Sequence, residues 1–120
     1  MRFMTIVKTR EGVRPSQALI DKIGKLGEEG LKQGVMVGMG GLAPTAAGAR
    51  ARLANGKITI TDGPFAEAKE VIGGYAIYDV PSKKEALDWT RAFLEAHIGL
   101  WDHELEVEVR QMMDDPSAGC

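Results

Sequence analysis

Cysteine is almost absent from this chain: one residue of 120 is Cys, and it is the last, Cys120. An internal disulfide is therefore excluded, and so is a thiolate cluster for zinc or iron–sulfur. Long apolar runs are missing too. None approaches the ~20 residues that span a bilayer, and Met1-Arg2-Phe3-Met4 reads straight into a strand rather than a signal peptide. The expected compartment is the cytosol. An excess of one charge is also lacking: 15 Lys and Arg stand against 17 Asp and Glu, a formal charge of −2, with the basic residues scattered. Direct binding of nucleic acid needs a basic stripe and is not expected. His97 and His103 come with no third ligand at a recognisable spacing, so no metal is expected. Gly38 to Gly41 lacks the Lys-Ser/Thr ending of a phosphate loop, so no nucleotide or other cofactor is expected.

What is present is a chain 44% hydrophobic and 27% charged, the composition of one small globular domain. That domain is expected over residues 1–113, with a disordered tail over 114–120. Phe3 to Lys8 alternates as a strand, with Phe3, Thr5 and Val7 opposite Met4 and Ile6. Pro15-Ser16 starts a helix whose apolar stripe is Leu19, Ile20, Ile23, Leu26 and Leu31, and Gly34 stops it. Val35-Met36-Val37 opens a second strand, followed by an expected glycine break at Gly38 to Gly41. Two alternating runs then flank Asn55-Gly56, the strongest short hairpin signal. Tyr75 to Val80 is a strand, with Tyr75 and Ile77 opposite Ala76, Tyr78 and Val80. Ser82 and Glu85 form a capping box for a second helix, and Glu104 to Arg110 alternates as the last strand.

This order predicts an α+β domain: a ferredoxin-like split βαβ sheet, two helices on one face, and an inserted β-hairpin at Ala49 to Thr61. Two helices cover one face only, yet the first and third core strands carry apolar residues on both. The bare face is too apolar for water, and a second copy of the chain is the simplest cover. A charge at Ile6 or Tyr78 is expected to break that homodimer or block folding.

The densest chemistry lies in Thr61-Asp62-Gly63-Pro64-Phe65-Ala66-Glu67-Ala68-Lys69-Glu70. Gly63 before Pro64 is held away from helical geometry, and Pro64 is placed to open a short helical turn. Asp62 reads either as a turn cap or as a general base. Glu67, Lys69 and Glu70 read either as a solvated loop or as groups that position a small polar substrate. Phe65 anchors the turn and excludes water. Arg110 suits a carboxylate, either Asp62 or an anionic ligand. The expected site is one polar cleft with Asp62, Glu67 and Lys69 in acid–base roles and Arg110, Phe65 and Glu70 binding ligand.

Asp62-Gly63-Pro64-Phe65-Ala66-Glu67, with Lys69-Glu70, Gly73-Gly74-Tyr75 and the closing Val107-Glu108-Val109-Arg110, resembles the DGPF-domain proteins of the YCII-related family. The likeness runs over nearly the whole chain. It departs at Ala68, where Thr is more frequent, and at Gly40 and Ala43, in a segment that often carries an acid and a His. The resemblance implies a dimeric α+β barrel. Beside the small enzyme with its cleft at the dimer interface that the site residues suggest, the resemblance implies an alternative, a non-catalytic accessory dimer linked to extracytoplasmic-function sigma factors.

Overall fold

Residues 1–113 are described by the structure, a computed structural model; the expectations for 114–120, Cys120 included, lie outside the described residues. The elements follow as β1 (Arg2–Thr9), α1 (Gln17–Lys32), β2 (Met36–Gly41), a 3-10 turn (Thr45–Ala47), β3 (Ala49–Ala54), β4 (Lys57–Asp62), β5 (Val71–Asp79), α2 (Lys83–His97) and β6 (Leu105–Gln111). Four of the strands form an antiparallel sheet in the order β2-β5-β1-β6, while among the described residues β3 and β4 pair only with each other. The architecture is α+β.

Local chemistry sets most boundaries. Ser16 Oγ accepts from the Leu19 amide at the start of α1, and Ser82 Oγ accepts from the Glu85 amide at the start of α2. Asn55 and Gly56 take φ of 53° and 74°, the positive pair that a two-residue hairpin turn requires. One boundary differs from expectation. Gly38 to Gly41 do not interrupt β2 but continue it in pairing with β5, and Gly40 leaves room for the Tyr75 ring beside it: an added Cβ would stand 3.1 Å from that ring. The glycines of α1 have a similar origin. A Cβ at Gly30 would come within 3.0 Å of Met36 Cβ, so glycine brings the helix down onto β2.

Both helices lie on the face that carries Phe3, Met36 and Tyr78. Phe3, Met36, Tyr78, Val80 and Ala86 form the core cluster, and Trp89 of α2 stacks on Tyr78 at 5.7 Å between centroids. Burial also pushes the Tyr78 phenol above its ordinary pKa. Register places Met4, Ile6, Lys8, Tyr75, Ile77, Glu106, Glu108 and Arg110 on the opposite, helix-free face. Tyr78 therefore belongs to the core, and a charge there attacks folding alone. Ile6 remains a residue of the open face, half-buried by its neighbours.

Candidate functional site

The segment between β4 and β5 is fixed by hydrogen bonds rather than by an apolar core. The Gly63 amide donates to the Gly48 carbonyl at 2.9 Å, and the Gly63–Pro64 peptide is cis. A Cβ at Gly63 would overlap the Thr45 carbonyl oxygen, so only glycine fits. Thr45 then works in two directions. Its hydroxyl accepts from the Phe65 amide at 3.2 Å, and its amide and hydroxyl donate to the Glu11 carboxylate at 2.6 and 2.7 Å. The expected helical turn after Pro64 is reduced to one backbone bond, Ala68 N–H to Phe65 C=O.

Arg50 of β3 closes the arrangement. Its guanidinium lies 3.9 Å from the Phe65 ring centroid and pairs with the Glu67 carboxylate. That pairing holds the Glu67 pKa below the usual carboxylate range, chiefly through the hydrogen bond from Arg50. A planar cation stacked on an aromatic face and hydrogen-bonded to an acid is held in one orientation. Beside it lies a hollow of about 520 Å³, walled by Leu42, Val71 and Ile72 on its apolar side and by Thr45, Arg50, Phe65 and Glu70 elsewhere. A second hollow, about 340 Å³, shares the Leu42 to Thr45 segment and reaches Glu11, His97 and Trp101.

The six residues expected at the site are distributed as follows. Phe65 and Glu70 are in the wall of the larger hollow. Glu67 stands next to it through Arg50. Arg110 is elsewhere, on the helix-free face, where it donates to Glu108 at 3.1 Å. Lys8 donates to the other oxygen of Glu108 at 2.9 Å. These two cations lower the Glu108 pKa, Lys8 foremost. Lys8 is raised in turn, first by Glu108, with smaller contributions from Glu106 and Glu70. Asp62 ends β4 opposite Ala49, and neither it nor Lys69 makes a side-chain hydrogen bond or ion pair among the described residues. A single chain thus brings Phe65, Glu67 and Glu70 to one region and leaves Asp62, Lys69 and Arg110 off the wall of the hollow.

Sequence reasoning missed Glu11, Thr45 and Arg50. Their partners lie 34, 20 and 17 positions away, and nothing in their local patterns marks them. His97 is a satisfied structural histidine: its Nδ1 is 2.8 Å from the Phe93 carbonyl, and its ring packs against Phe93 and Trp101. Among the described residues no cluster of three His, Cys, Asp or Glu is placed to hold a metal, and no helix is long and apolar enough to cross a membrane.

Comparison with known proteins gives three likenesses. An uncharacterized protein, R00369, of Rhizobium meliloti (strain 1021) is 39% identical over 64 residues, a match spanning 53% of this chain and 52% of that one. The solved structure of 5-chloro-2-hydroxyhydroquinone dehydrochlorinase from Burkholderia phenoliruptrix AC1100, in complex with 2,5-dihydroxybenzoquinone, aligns over 98% of both chains. Its TM-score is 0.47 at 17% identity, too low to bear on activity. The third likeness is to a family model, the YCII-related domain, which matches residues 1–112. By that match over almost its whole length, the chain belongs to the YCII-related family.

Proposed function

We propose that this protein binds a small polar molecule in the 520 Å³ hollow beside the Phe65 loop and acts on it by acid–base chemistry. The observation that carries the reading is the Glu11–Thr45–Phe65 hydrogen-bond chain. It holds a loop rigid around a hollow whose wall has one cation, Arg50, and one free carboxylate side chain, Glu70. A preorganised pair of that kind suits a ligand with an anionic group at one end and a donor at the other. Phe65 shields the Arg50 charge on one side, which strengthens its pull on an anion. Glu70 in the wall, and Glu67 beside it through Arg50, are the groups for proton transfer there, with Arg50 and Phe65 for binding; Asp62, Lys69 and Arg110 lie off this hollow and are not part of the reading. No cofactor is invoked.

The same reading makes the chain a ferredoxin-like protomer of a cytosolic homodimer, a dimeric α+β barrel closed over the helix-free face. Met4, Ile6, Tyr75 and Ile77 supply the apolar surface there, and they support the reading because no helix covers them.

A thermal-shift and calorimetry series with small carboxylates, amino acids and hydroxy acids tests the site. A ligand at 100 times its Kd should stabilise the protein by about 2.7 kcal/mol. Arg50→Met should abolish that gain while leaving the unliganded melting temperature nearly unchanged. If no compound gives saturable stabilisation at millimolar concentration, the hollow is not a ligand site.

A further inference from the structure

Two side-chain polar atoms among the described residues are buried without a hydrogen-bond partner, Thr9 Oγ1 and Trp101 Nε1. Both residues belong to the wall of the 340 Å³ hollow. A buried hydroxyl or indole N–H left unbonded costs free energy, so two in one wall call for an explanation. Packing sets the orientation of Thr9: a Cβ at Gly73 would come within 2.8 Å of its Cγ2, so glycine there makes room for the methyl group. Trp101 stands perpendicular to the His97 ring, 6.0 Å away between centroids. His97 is 8% exposed and lines the same hollow. Its Nδ1 faces the Phe93 carbonyl, which can only accept, so Nδ1 carries the hydrogen and Nε2 is the acceptor of the neutral ring.

A further hollow, about 230 Å³, adjoins this one between α1 and the sheet, and the two share Val7, Pro15, Ile23, Gly41 and Gly73. Leu26, Met36, Met39 and Phe93 line its far part. The threonine hydroxyls there are already used: Thr5 donates to the Ala76 carbonyl at 3.2 Å and Thr90 to the Ala86 carbonyl at 2.8 Å. An apolar cavity of about 150 Å³ admits a benzene ring. The inner hollow therefore has room for a ring with a short alkyl group.

We infer that the two adjoining hollows form a second binding site, which takes a small apolar alcohol or phenol. Its hydroxyl sits among Thr9, His97 and Trp101, and its body lies under α1. A hydroxyl both donates and accepts, so it takes the Trp101 N–H and gives its own hydrogen to His97 Nε2, while Thr9 can serve in either sense. A carboxylate only accepts and leaves His97 unmatched. A hydrocarbon leaves the indole N–H unbonded. The site uses neither Arg50 nor Phe65, which wall the other hollow.

Proton–nitrogen correlation spectra of the full chain test the site. Two indole peaks are expected, from Trp89 and Trp101, and Trp101→Phe assigns them by removing one. Titration with 4-ethylphenol to millimolar concentration should move the Trp101 peak saturably, and nuclear Overhauser contacts should join the ethyl group to the Met39 methyl. Ethylbenzene, the same body without the hydroxyl, should bind about tenfold more weakly. Trp101→Phe should weaken 4-ethylphenol by about tenfold and leave ethylbenzene unaltered. Thr9→Val keeps the shape and removes the unbonded hydroxyl, so the unliganded melting temperature should hold or rise while 4-ethylphenol binds about threefold more weakly. Arg50→Met should change none of these affinities, which separates this site from the one beside Phe65. An unmoved Trp101 peak, or equal affinities for the two probes, overturns the inference: the outer hollow then holds water alone.

Discussion

The helix-covered sheet and the Phe65 loop are held together by opposite means. In the sheet, order comes from exclusion of water: Phe3 and Leu19 are 1% and 0% exposed, and Tyr78 is wedged against Trp89. In the loop nothing large is buried, and order comes from directed polar bonds among Glu11, Thr45, Phe65, Arg50 and Glu67. The lesson is about scale of failure. Apolar packing is shared by many neighbours, so its loss is global, whereas a hydrogen-bond chain fails link by link.

Phe3→Ala should break the first region hardest. Removing a fully buried ring costs about 3–5 kcal/mol, a large part of a small domain's stability, and should lower the denaturation midpoint of every probe together. Thr45→Val is the matching cut in the second region. It leaves the Phe65 amide without its acceptor, at a cost of about 1–3 kcal/mol, while the backbone amide of position 45 still donates to Glu11. Amide exchange should show that loss as faster exchange at Phe65 and Gly63, with the protection of β1 and β5 little changed; uniform loss of protection would erase the distinction drawn here. Ser82→Ala removes only the cap of α2, about 1 kcal/mol, and should appear as a modest shift in midpoint without a change in cooperativity. The smallest effect is electrostatic. Glu108 has its pKa depressed by Lys8 and Arg110, so its contribution is present above the ordinary carboxylate value of 4.5 and is lost as pH falls through the lower, folded value. Lys8 is raised, so the same pair contributes below 10.5 and is lost as pH rises past the folded value. Both groups keep part of their surface in solvent, so Glu108→Gln should only flatten the acid limb of the stability profile slightly, and salt should mimic it.

Much of the fold could be read from the chain alone because its signals are local. Ser16, Ser82-Glu85, Asn55-Gly56 and the alternation of β1 and β6 each act within a few residues of themselves. The misreadings arose where the partner is distant. Gly40 looks like a break until Tyr75, from another strand, is laid over it. Pro64 suggests a helical turn, of which the structure keeps one backbone bond, Ala68 N–H to Phe65 C=O. Arg110 is the exception: its acceptor Glu108 stands two residues away on the same face of β6, and the register of β1 adds only Lys8. The loop was recognisable as important because two turn formers, an aromatic and several charges crowd into it. Its partners were not, since neither the 45–47 turn nor the alternation of β3 singles out Thr45 or Arg50 as the residue that meets the loop.

Gly63 has a consequence for how this sequence can drift. The obstacle to a side chain there is the carbonyl oxygen of Thr45, a backbone atom. No exchange of one side chain for another at position 45 can clear it, because every residue type carries the same carbonyl. A selection for revertants of Gly63→Ala should therefore yield true reversion, or insertions and deletions that shift the 42–48 turn. Point substitutions at Thr45 should not appear among the suppressors.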